Sequence, residues 1–166
     1  MTTTRRTLRD GLVVGLIGYA TVALFYSTFD VLAARDALHT VNMLGRTVFR
    51  GLRDPSVLQF PLSIDTGAIF AYNALHLVLA LAIGLIVAAL VAAGDRTPER
   101  RRLVRVIIAA GFVVTVAGVG LLTTPIRPVL PWWSIVVANA LSTFFAAVYL
   151  LGRRPGLWRR WILRQA

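Results

Sequence analysis

Cysteine is absent, and so is lysine: all 18 basic residues are arginine. Without cysteine there is no disulfide, no thiolate metal ligand and no thiol nucleophile. Histidine occurs only as His39 and His76, and methionine only as Met1 and Met43. A two-haem cytochrome needing four histidines within the membrane is thereby excluded. The seven acidic residues avoid the middles of the apolar runs; Asp10, Asp30, Asp65 and Asp95 stand at their ends. Proton-coupled small exporters rely on a carboxylate embedded in the membrane, so that mechanism is disfavoured. Neither Ser56 nor Ser63 lies in a Gly-x-Ser-x-Gly context, and Gly11 and Gly15 form a packing motif, with no phosphate loop. No enzymatic activity is expected.

What remains is apolar length. Four runs, at about 11–29, 68–93, 104–122 and 132–151, have an interior free of Asp, Glu, Lys and Arg. Each has the roughly 20 residues that a helix needs to cross a hydrocarbon layer about 30 Å thick. With 57% hydrophobic residues and only short segments between the runs, no second soluble domain fits. The expected fold is all-α, a polytopic bundle of four transmembrane helices occupying the single domain 1–166.

Arginine is distributed unevenly along this frame. Arg5, Arg6 and Arg9 precede the first run; Arg96, Arg100, Arg101, Arg102 and Arg105 lie around the second connection; Arg153, Arg154, Arg159, Arg160 and Arg164 follow the last run. The other side holds Arg35, Arg46, Arg50, Arg53 and Arg127. Basic residues near span ends stay in the cytoplasm, so both termini are expected inside a prokaryotic inner membrane. The net charge of +11 then reflects anionic lipid head groups, and nucleic acid is not an expected partner. The charged start also resembles a secretory leader, but three further spans favour an uncleaved orientation anchor.

Small residues recur at helical spacing. Gly11 and Gly15 in the first run, Ala80, Gly84 and Ala88 in the second, and Gly111 and Gly118 in the third are expected to let helix backbones approach closely. Between the first two runs, residues 35–53 predict an amphipathic periplasmic helix with Leu38, Val41, Leu44 or Gly45, Val48 and Leu52 on its apolar face. His39, Asn42, Arg46, Arg50 and Arg53 share the opposite, wet face, and the three arginines form a candidate contact for an anion or an acidic partner. Pro55 and Pro61 break the chain beyond it, and Asp65 or Thr66 is placed to cap the next helix. In the second connection Gly94 suits a helix end and Thr97 an N-cap. The tail 152–166, with Trp158 and Trp161, reads as a helix lying on the cytoplasmic leaflet.

Polar residues inside the runs are few. Asn73 and His76 of the second run, Asn139 of the fourth and Tyr26 of the first form a candidate intramembrane cluster in the outer half of the bundle. The plainer role for such side chains is to tie helices together, at about 0.6 kcal/mol each. A single haem b between His76 and His39, or copper held by His39, Met43 and His76, is the cofactor-bearing alternative. The first expectation is a non-catalytic accessory or assembly subunit of a larger inner-membrane complex, without cofactor, whose partners are the bilayer and other membrane subunits. A cofactor-bearing electron-transfer protein and a small oligomeric solute carrier or channel are the alternatives.

Overall fold

The structure, a computed structural model, describes residues 3–153. The expected interfacial tail falls almost wholly outside the described residues. Among the described residues there are five α-helices: α1 (Thr3–Leu32), α2 (His39–Phe49), α3 (Thr66–Arg96), α4 (Arg101–Leu122) and α5 (Trp132–Arg153). Four of them, α1, α3, α4 and α5, are long and apolar enough to cross a membrane. Most of their leucine, valine and phenylalanine side chains point outward, as lipid-facing helices require.

α1 is the strut against which the others are set. At Gly15 an added Cβ would lie 2.6 Å from the Cα of Leu81, and at Gly11 2.8 Å from the Cα of Leu85. A Cβ on Gly84 would meet the backbone of Gly11 and Gly15 in turn. α1 and α3 therefore touch backbone to backbone, antiparallel, with Ala80 and Ala88 continuing the row. On its other side α1 packs antiparallel to α5. Tyr26 meets Ser134, Gly18 approaches the Ser142 hydroxyl, and Tyr149 donates to Asp10 at 3.4 Å. Arg6 donates to the carbonyl of Arg153, which puts the start of α1 and the end of α5 at the same end of the bundle.

α4 joins this arrangement only lightly, through sparse contacts with α3 and α5. Gly111 and Gly118, expected to pack, meet no neighbouring atom within 4 Å of the position a Cβ would take. They look away from the chain's own helices. Gly94 also departs from expectation. It lies buried inside α3, its carbonyl accepting from Arg101 Nε at 3.2 Å, and the helix runs on to Arg96. Thr97 closes α3 by donating its backbone N–H to Ala93, and a 3-10 turn at Pro98–Arg100 leads into α4 without a side-chain cap.

The segment between α1 and α3 folds onto one end of the bundle. Its helix is shorter than 35–53 because both ends are set by tertiary and backbone events. Asp30 fixes the start of α2, and Gly51, at a φ of 69°, turns the chain out after Arg50. The buried face also differs from the expected one. Leu38 and Val48 are exposed, while Thr40, Met43, Leu44 and Thr47 point inward. Thr40 and Thr47 tolerate burial because both hydroxyls are bonded, to Asp30 and to the Met43 carbonyl. Met43 then joins Leu58, Ile126, Leu130 and Ile135 in a small apolar core at the α2 end of the bundle. His39, expected on the wet face, is buried against the Phe60 ring, with centroids 5.8 Å apart.

Candidate functional site

Two local events build the site. α1 ends where Ala34 takes a left-handed conformation, with the N–H of Arg35 returning to the Asp30 carbonyl at 2.9 Å. This termination sets the Asp30 side chain beneath α2, where it accepts 2.7 Å bonds from the backbone N–H and the hydroxyl of Thr40. α3 starts under the other end of α2. Asp65 caps α3 by accepting from Ala68 N at 2.9 Å, and Gly45 lies directly on the backbone of Ala68.

Between α1, α2 and the first turns of α3 lies a cavity of about 120 Å³. Its outer rim is Ala37 and Leu38, both exposed, and His76 is at the inner end. His76 is ten residues into α3, roughly 15 Å from the first residue at 1.5 Å per residue. Tyr26, Ser27 and Asp30 of α1 face it across from Tyr72 and Asn73 of α3, with Thr40, Val41 and Leu44 of α2 as the roof.

The polar groups of this wall fall into two sets. Asn73 is bonded on both sides of its amide, accepting from the Tyr19 hydroxyl at 3.0 Å and donating to the Ile69 carbonyl at 3.0 Å. The Ser134 hydroxyl donates to the Pro131 carbonyl at 2.7 Å, so the Tyr26 hydroxyl must be the donor in its 3.3 Å contact with Ser134. Ser27, Tyr72 and His76 form the second set. No hydrogen bond to them is found among the described residues, although the His76 ring packs against Tyr19 and Tyr72 at centroid distances of 5.2 and 6.2 Å.

Of the four residues expected to cluster, Tyr26, Asn73 and His76 line this one cavity. Asn139 does not; its amide donates to the Ile135 carbonyl, one turn back on its own helix, at 2.8 Å. Asp30, Thr40, Ser27 and Tyr72 complete the wall and were not in the expected cluster. The copper alternative called for His39, Met43 and His76 together, yet only His76 reaches the cavity, and Met43 is sealed in the apolar core. Among the described residues no three His, Asp or Glu side chains converge as a metal site requires. The haem alternative paired His76 with His39, and His39 does not line this cavity.

Two arginines of the expected stripe, Arg46 in α2 and Arg50 just after it, form a latch to the start of α3. Arg46 donates to the carbonyl and hydroxyl of Ser63 at 2.7 and 2.9 Å, and Arg50 makes a bidentate pair with Asp65 at 2.9 and 3.2 Å. Asn42, one turn earlier, donates to the Ser63 carbonyl and accepts from the Asp65 N–H. The Arg50 guanidinium, helped by the Ala68 N–H, holds the Asp65 carboxyl down at about 2. Arg50 remains half exposed despite this pair, and Arg53 is exposed with no ion pair among the described residues. No family model, curated protein or solved structure matches this chain.

Proposed function

We propose that the chain is a non-catalytic accessory or assembly subunit of a larger inner-membrane complex, and that α4 is the helix by which it joins. The observation that carries this reading is the open face of α4. Ile107, Gly111, Gly118 and Leu122 share one side of that helix at helical spacing. Ile107 and Leu122 are exposed, and both glycines meet nothing within 4 Å. The Thr115 hydroxyl on the same side is satisfied by the Gly111 carbonyl at 2.8 Å, so the face carries no unmet hydroxyl. In lipid, helices associate through small-residue faces that admit another backbone. The α1–α3 crossing shows how this chain uses such a face when a partner is present.

The arginines at the Arg6–Arg153 end of the bundle favour a cytoplasmic location for both chain ends and an outer location for α2. The latch between α2 and residues 63–65 engages Arg46 and Arg50 within the chain, which supports the membrane-embedded face as the contact. Native purification followed by mass spectrometry of co-eluting chains tests the reading. Wild type should elute with a partner, and the double variant Gly111→Leu, Gly118→Leu should elute without it while its own helices remain intact. A chain that purifies alone, or a double variant that keeps its partner, refutes it.

A further inference from the structure

Ser27, Tyr72 and His76 pose a physical problem that their own chain does not solve. All three are partly buried, all line the 120 Å³ cavity, and none has a hydrogen-bond partner among the described residues. The polar atoms of all three keep some accessible surface, so they open onto the cavity and face whatever fills it. The cavity is therefore built to hold something polar.

We infer that it is a binding site for a small organic ammonium ion of no more than about six non-hydrogen atoms, a little below the size of benzene, which fills a cavity of about 150 Å³. Charge selects the ligand. Asp30, only 1% exposed, is the one charged residue in the wall, and no arginine lines it. Thr40 uses one lone pair on each Asp30 oxygen, which leaves acceptor capacity on both. An ammonium group supplies donors to Asp30 and to the Tyr72 and Ser27 hydroxyl oxygens. Aromatic rings on the same wall, Tyr26 and Tyr72, suit a cation further. A carboxylate ligand would instead face Asp30 with like charge. The exposed rim at Ala37 and Leu38 sets the opening on the side of α2, away from the chain ends. The site is independent of α4, so its fate does not decide the subunit reading.

The test is calorimetric titration of the full chain in detergent micelles with ethylammonium, with ethanol and acetate as neutral and anionic probes of similar size. Three non-hydrogen atoms bind no tighter than roughly 0.5 mM, so titration runs through the millimolar range. Saturable one-to-one binding of ethylammonium, with ethanol and acetate at least about tenfold weaker, is the expected result. Tyr72→Phe keeps the ring and removes one hydroxyl, and should weaken binding about threefold to tenfold. Ser27→Leu fills the cavity and should abolish binding without touching the Asp30–Thr40 contact. Absence of saturable ethylammonium binding, equal binding of acetate, or full affinity in Ser27→Leu overturns the inference.

Discussion

The Asp30 carboxylate on α1 caps α2 from outside it, accepting from both the N–H and the hydroxyl of Thr40 at 2.7 Å. The residue at the N-cap position of α2, Leu38, has no side chain able to accept a hydrogen bond, so the helix borrows its cap across a tertiary contact. Loss of an N-cap acceptor costs about 0.5–2 kcal/mol. Asp30→Ala should therefore loosen α2 while the four long helices stay folded. Amide hydrogen exchange checks this: residues 40–49 should exchange faster in the variant, and unchanged protection there would contradict the capping role.

Ala34 stands at a φ of 55°, in the turn that ends α1. Its N–H donates to Val31 at 3.1 Å and the next N–H to Asp30 at 2.9 Å, the paired bonds of a termination that usually employs glycine. A Cβ in this region costs about 1–2 kcal/mol, of which glycine's greater freedom when unfolded returns about 0.4–1. Ala34→Gly is expected to stabilise the chain by up to about 1.5 kcal/mol. Reversible unfolding by sodium dodecyl sulfate in mixed micelles measures the difference; a destabilised variant would show that the turn does not strain alanine.

The four spans were legible because an uncharged apolar run of that length has few other uses. The small-residue rows of Gly11 and Gly15 and of Ala80, Gly84 and Ala88 were legible too, but not that they meet each other while Gly111 and Gly118 meet nothing. The face of α2 was not. Counting apolar residues selects Leu38, Val41 and Val48, yet Thr40, Asn42 and Thr47 go inside because Asp30, Ser63, Asp65 and a helix carbonyl bond them. Those partners lie up to 23 residues away in sequence, and periodicity carries no trace of them. One signal was available: Asn42, Arg46 and Arg50 fall four apart, which places them on one row facing Ser63 and Asp65. In the cavity, Tyr26, Asn73 and His76 stood out as polar residues in apolar runs. Asn139 stood out equally, but a helix asparagine can satisfy itself on the preceding turn.

Gly84 and Gly111 look alike in sequence and should behave oppositely. Leucine at Gly84 would drive its Cβ into the backbone of Gly11 and Gly15, which cannot yield by a rotamer change. Gly84→Leu should cost about 3 kcal/mol or more in detergent unfolding, at or above the upper end of ordinary overpacking. Gly111→Leu meets open space and should change the stability of the isolated chain by less than about 0.5 kcal/mol. Equal losses in the two variants would mean that α4 is packed within the chain.

His39 makes the outer cap sensitive to acid. Burial pushes its imidazole below the ordinary 6.5, outweighing the nearby Asp30 carboxylate, which pulls the other way; Arg35 adds to the downward shift and Asp36 opposes it. A base with a lowered folded pKa takes up its proton more readily once the chain unfolds. The contribution of the neutral ring is complete well above 6.5, begins to be lost near that value and goes on being lost as the pH falls through the lower folded value. Stability in detergent should thus be level between about pH 8 and 7 and decline from about 6.5 toward 5, before the carboxylates titrate. His39→Gln keeps a polar side chain without a titrating ring, so its profile over the same range should be flatter than that of wild type. A wild-type profile that rises on acidification would mean that the protonated ring is the one the fold prefers, with Asp30 and Asp36 outweighing burial.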